Sequence, residues 1–178
     1  PAEARRLAQD ALQALATSPD ADLEIEARLL LCDHHAEREP AAAQREVGIV
    51  SDLLPRANHG ALRAGLLGCM GQMREYAGDS VRARSLYEEA VAIAEAADDK
   101  DMLANALYLR GYLRGVQGEL AAALADLRRA HQIYTRLDLR PRIANVLNAI
   151  AIVYNRMGDH AQARDYFQQS LKGLVASG

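Results

Sequence analysis

Three glycines constrain this chain more than any other feature. Gly78, Gly118 and Gly158 stand forty residues apart, and each is followed by an acid, Asp79, Glu119 and Asp159. The same step links Leu67, Leu107 and Leu147; Ala83, Ala123 and Ala163; Tyr87, Leu127 and Phe167; and Ala90, Ala130 and Ser170. Self-similarity at one fixed period is the mark of stacked supersecondary units, none of which can bury its apolar face alone. Aromatics make up only 4% of the residues and Trp is absent, while alanine recurs at fixed places. Small residues in register favour closely packed helices over sheet.

Each copy reads as two amphipathic helices around the Gly-acid pair. "ANVLNAIAIVYNRM" (144–157) and "DHAQARDYFQQSLKGL" (159–174) both carry apolar residues at helical spacing. The glycine supplies the left-handed residue that ends the first helix, and the acid after it is placed to cap the second. Between copies, "AADDKD" (96–101) and "RLDLRP" (136–141) offer acids and a proline suited to helix starts. Upstream the pattern weakens: residues 4–15 read as an orphan helix, and 23–37 and 41–54 as a degenerate pair with Pro40 opening its second member. The expectation is an all-α chain of about nine helices in antiparallel pairs forming one domain over 1–178. Residues 1–57 hold degenerate repeats, and 58–97, 98–137 and 138–176 hold well-formed ones.

In "LNAIAIVYNRMGDHAQARDYFQQSL", Leu147, Ile150, Ala151, Tyr154, Gly158, Ala163, Phe167 and Leu171 fall where the tetratricopeptide repeat signature has its large, small, aromatic, glycine and alanine positions. The chain resembles that family over roughly 58–175, with Arg74 and Arg114 in place of the tyrosine in the other two copies. The usual unit has about 34 residues. Six extra residues are worth roughly 9 Å of helix, and such units look like those of kinesin light chains and bacterial regulatory proteins. The resemblance implies a right-handed superhelical α-solenoid whose first helices line a concave groove that holds extended peptides.

Composition removes several function classes. Lys+Arg against Asp+Glu is 21 against 24, a net charge of −3, so no basic field draws in nucleic acid. No window approaches the roughly eighteen apolar residues of a membrane span. Cys32 and Cys69 lack CxxC spacing, which predicts reduced thiols and a cytoplasmic setting. Cys32 and His35 at i,i+3, with Glu39 a turn further, form the most metal-like run, but no second Cys/His cluster is near in sequence. No metal or cofactor is expected. Gly158-Asp159-His160 recurs as Gly78-Asp79-Ser80 and Gly118-Glu119-Leu120, so it reads as a turn rather than a catalytic triplet. With no nucleophile elbow or phosphate loop, the chain reads as non-catalytic. The pairs Arg5-Arg6 and Arg128-Arg129 read as solvated surface.

The first helices hold the candidate binding residues. Asn145 and Asn148 are one turn apart, Asn105 is forty before Asn145, and Tyr108, Tyr112 and Asn155 extend the strip. A side-chain amide both donates and accepts, so it can pair with a peptide backbone of any sequence. Tyrosines add flat apolar area with a polar tip, and Arg114 and Arg156 are candidate carboxylate partners. At the other end, Tyr166, Phe167, Leu171 and Leu174 leave the last helix too apolar for a solenoid cap. A downstream domain or a homodimer partner is expected to cover them. The start at Pro1 fits an excised piece of a longer protein, and the Ala/Arg/Gly-rich composition suggests a bacterial source. Long units of this kind resemble the sensor segments placed before diguanylate cyclase (GGDEF) or helix-turn-helix output domains. A scaffold or oligomerisation role without a sensed ligand is the alternative.

Overall fold

The computed structural model describes residues 2–176, with side chains from 5 to 173. Among them are nine α-helices and one short 3-10 turn. The chain divides into two compact units, Pro1–Ala97 and Asp98–Gly178.

The first unit contains α1 (Ala2–Leu15), α2 (Ala21–His35), α3 (Pro40–Leu53), the 3-10 turn Leu54–Arg56, α4 (Leu62–Tyr76) and α5 (Ser80–Ala96). Asp20 caps α2, its Oδ1 accepting from the amides of Asp22 at 3.0 Å and Leu23 at 3.1 Å, and Pro40 opens α3 where its missing N–H costs nothing. The orphan α1 packs through Ala8 and Leu12 on Ala27 and Leu31 of α2. Arg28 ties α2 to α3 by donating to Glu46 at 3.1 Å while its Nε donates to Glu24 at 2.9 Å. In the α4–α5 hairpin Gly71 admits the ring of Tyr87, since a Cβ there would overlap it. The buried Tyr87 hydroxyl donates to Glu75 at 2.8 Å.

The cysteines correct a sequence expectation. Cys32 of α2 and Cys69 of α4 form a disulfide, with Cα atoms 6.1 Å apart and both residues fully buried. Sequence spacing misleads here because the partners sit on different helices, brought together by the fold rather than by local register. Asp33 and Gln72 reinforce the same contact, the Gln72 amide donating to the Asp33 carboxylate at 3.1 Å.

The second unit is regular: α6 (Lys100–Val116), α7 (Leu120–Arg136), α8 (Arg140–Arg156) and α9 (His160–Ala176), each of seventeen residues. At 1.5 Å per residue each is about 25 Å long. The added residues of the long repeat therefore lengthen helices and leave the turns short. Asp99 and Asp159 cap α6 and α9 through the amides of Met102 at 2.8 Å and Gln162 at 3.0 Å. Glu119 makes no such cap, and its carboxylate lies 3.9 Å from Arg114 Nε.

Left-handed residues punctuate the chain every twenty positions: Gly78 (φ +81°), Asp98 (+53°), Gly118 (+88°), Asp138 (+52°) and Gly158 (+82°). After Gly118, the Glu119 amide reaches back to the Arg114 carbonyl at 2.9 Å, and the Asp159 amide does the same to Tyr154 at 3.0 Å. These are Schellman closures that satisfy orphan carbonyls at the helix end. Glycines turn the chain within a pair, and aspartates turn it between pairs.

One position inside the hairpins is filled in two ways. In α6–α7, Asp126 is buried and accepts from Arg110 Nε and Nη2, both at 2.8 Å, and from Arg114 Nη1 at 2.7 Å. Forty residues on, Tyr154 and Tyr166 replace Arg114 and Asp126, and their rings stack at 5.4 Å with planes 12° apart. An ion pair and an aromatic stack thus occupy equivalent sites.

Candidate functional site

The strip expected to bind a partner lies on α6 and α8, adjacent first helices of the second unit. Residues at i, i+3, i+7 and i+10 share one helical face, so Asn145, Asn148 and Asn155 of α8 form one row, with Ile152 between them. Asn145 and Asn148 are exposed, one turn apart. On α6, Asn105 and Tyr108 are half-buried and Tyr112 is exposed, and the exposed Val116 continues their line.

The amides are not equivalent. Asn105 Oδ1 accepts from Arg142 Nη1 at 2.8 Å, a bond that joins α6 to the first turn of α8. Arg142 lies 5.8 Å from the centre of the Tyr134 ring, and its Nη1 also reaches the Tyr134 hydroxyl at 3.4 Å. Burial pushes the Tyr134 hydroxyl above its usual range, so it stays neutral. Asn105 is consequently held by its own chain, whereas Asn145 and Asn148 are open to solvent. Asn155 sits at the far end of the row, where its Oδ1 lies 3.0 Å from His160 Nδ1 across the turn.

The two arginines also part ways. Arg114 is half-buried and committed to Asp126, while Arg156 is exposed at the end of α8. Sequence reasoning misses Arg142, because it stands in a helix start that reads as generic. Its place one turn before Asn145 is the signal that could have found it.

Cys32, His35 and Glu39 do not gather as ligands. The Cys32 sulfur is bonded to Cys69, and His35 Nδ1 lies 3.4 Å from the Glu39 carboxylate. Among the described residues no group of three or more His, Cys, Asp or Glu could hold a metal ion.

The expected interface on α9 is distributed unevenly. Tyr166 is half-buried against Tyr154, whose hydroxyl accepts from Arg128 Nη2 at 2.5 Å. Phe167 is 40% exposed and Leu171 64% exposed, whereas Tyr87 and Leu127, in the same column as Phe167, are fully buried. The side chain of Leu174 lies outside the described residues. Phe167, Leu171 and Ala163 floor a groove of about 360 Å³, with Asn155, His160 and Arg164 along its sides.

The tetratricopeptide repeat family matches residues 102–174, entirely within the second unit. No curated protein matches the chain. Among solved structures, that described as "Crystal structure of BtubC (BKLC) from P. vanneervenii" is similar, with a TM-score of 0.60 and 15% sequence identity. The likeness covers 99% of this chain and 90% of that one. At that identity it speaks to the fold alone, an all-α solenoid of helical repeats. Gly118 and Gly158, the Schellman turns that follow them and the seventeen-residue helices of the second unit fall in or beside the segment, residues 102–174, that matches the tetratricopeptide repeat family.

Proposed function

We propose that the chain is a non-enzymatic module that binds a protein or an extended peptide on the α6–α8 face. Tetratricopeptide repeats are protein-interaction folds, and the observation that carries the reading here is the exposed pair Asn145 and Asn148. Two amides one turn apart can hold a backbone carbonyl and N–H together, while Tyr108 and Tyr112 supply apolar area beside them. Asn105 and Arg142 brace the strip, Asn155 ends it, and the exposed Arg156 is the cation for an acidic side chain. Arg114 contributes through Asp126, by fixing the hairpin.

On this reading the module is the sensory or regulatory part of a bacterial signalling protein, such as a diguanylate cyclase or a transcriptional regulator. Residues 1–178 then act as one domain, and an attached output domain would read the bound state. The setting proposed is cytoplasmic by likeness to tetratricopeptide repeat proteins, since the Cys32–Cys69 disulfide removes the reduced thiols as a ground for it. No helix among the described residues is long and apolar enough to cross a membrane. Thiol counting on protein trapped from cells tests the setting, because a fully oxidised Cys32–Cys69 pair in vivo contradicts a reducing compartment. The alternative, a constitutive scaffold or oligomerisation domain without a ligand, draws on the exposed apolar face of α9.

A peptide library selected on the wild-type chain, followed by affinity measurement on the N145A/N148A variant, separates them. Two lost hydrogen bonds predict a fall of roughly tenfold to a hundredfold with folding intact. Selected peptides that bind the variant equally would remove the amides from the site, and failure to select any peptide favours the scaffold.

A further inference from the structure

We propose that the groove on α9 is a second docking site, one that takes an acidic amphipathic α-helix. It goes beyond the peptide strip on α6 and α8 and shares Asn155 with it.

The occupant's shape follows from the preceding seam. α7 carries, forty positions earlier, the same columns that form the α9 groove, and α8 lies on α7. There Ala123 and Leu127 are fully buried and Leu124 nearly so. On α9 the equivalents of Leu127 and His131 are Phe167 and Leu171, and they stand open to solvent. Two polar contacts mark the length of helix that covers α7. Tyr134 receives Arg142 near one end, and Arg128 reaches Tyr154 near the other. Between them α8 buries Val146, Ala149 and Val153. What fits α9 is therefore a helix with apolar or small residues at i, i+3 and i+7 and a polar group one position after the last. Gln168 holds the column of Arg128 and is placed to meet that group.

Charge sets the occupant apart from α8. Where α7 has the apolar Leu124, α9 has Arg164, and His160 lines the same groove. Among the described residues no carboxylate lines it. A partner helix with Asp or Glu flanking its apolar stripe neutralises Arg164 as it covers Phe167 and Leu171. A helix with a cation at the position of Arg156, in the last turn of α8 beyond the Tyr154 contact, would set like charge against Arg164.

The test uses a labelled peptide copying residues 140–156 with all three of Arg140, Arg142 and Arg156 replaced by Glu. A lactam holds it helical, since free helices of this length are marginal in water. Fluorescence anisotropy with the full chain should show binding that weakens between low salt and about 0.3 M, where charges are screened. L171D should cost about tenfold or more in affinity. R164E should reverse the preference toward the peptide carrying the native arginines. Both substitutions fall on exposed positions, and circular dichroism verifies the fold of each. Equal binding to L171D, equal affinity for the acidic and basic peptides, or no binding overturns the proposal. A concentration-dependent dimer that L171D dissolves also overturns it, because the occupant is then a second copy of the chain.

Discussion

Reducing the Cys32–Cys69 bridge should destabilise the first unit substantially without altering its native packing. The bond joins α2 to α4 across 37 residues of chain and encloses all of α3. Opening it releases the unfolded chain from a closed loop of that length, worth about 13 cal/mol/K, or about 4 kcal/mol at 25 °C. The native state has little to set against this. The Cys32 sulfur lies 3.6 Å from the Ala43 carbonyl, so a reduced thiol there has a buried acceptor waiting. The Asp33–Gln72 hydrogen bond continues to hold the two helices together. For a unit of this size, about 4 kcal/mol corresponds to a drop of roughly 15–25 °C in melting midpoint. The assay compares oxidised protein, protein reduced in denaturant and refolded, and the C32A/C69A variant, by calorimetry and urea titration. Near-identical melting of oxidised and reduced forms would refute the loop-closure argument. Two thiols titrating in unreduced, denatured protein would refute the pairing itself.

Other perturbations reach different parts of the fold. D126N should cost about 3 kcal/mol, because it removes the buried carboxylate that the Arg110 and Arg114 guanidiniums share. Importing the residues of the next hairpin, as R110I/R114Y/D126Y, should recover most of that loss in denaturant melts, and failure to do so would deny the equivalence of the two arrangements. G71A should lose about 1–3 kcal/mol in the same melts, since its methyl group needs the space of the Tyr87 ring. D138G should stabilise by up to about 1 kcal/mol and D138A should destabilise by a similar amount, as expected for a left-handed residue at φ +52°. Burial lowers the pKa of His131 below its ordinary 6.5. The unfolded chain therefore takes up that proton first, and stability should decline as pH falls from 6.5 toward the lowered value. Urea midpoints at several pH values should show a flatter decline for H131L, and an unchanged slope would assign the pH dependence to other groups.

The helix pairs are legible in the sequence because glycine, alanine and leucine columns reflect requirements that every copy shares: a left-handed turn, a close approach and a core position. What the pattern hides is specific to one copy. Arg114 reads as an accessible cation, and only the fold shows that Asp126, buried on α7, already holds its guanidinium. The column that contains Arg114 has Tyr154 in the next copy, so periodicity offers no hint of an ion pair. The acid doublet Asp98-Asp99 reads as a generic helix start, although its two members do different work: Asp98 turns the chain and Asp99 caps α6. The cysteine pairing is hidden because a forty-residue step from Cys32 lands on Gln72, three positions past Cys69, and the irregular segment around Leu54–Arg56 interrupts the register between α2 and α4. On α8, the spacing of Asn145 and Asn148 is enough to place them on one face. That Asn105 is held by Arg142 depends on how α6 and α8 pack, which no local pattern records.

The alternation of glycine and aspartate turns bears on how such a chain can be recombined. A crossover at Asp138 exchanges whole hairpins, so Arg110, Arg114 and Asp126 travel together, as do Tyr154 and Tyr166. A crossover at Gly118 that joined α6 to α9 would set two guanidiniums against Tyr166, in the place where they now meet a carboxylate. The heritable module in this protein is the hairpin, and its permitted breakpoints are the aspartate turns.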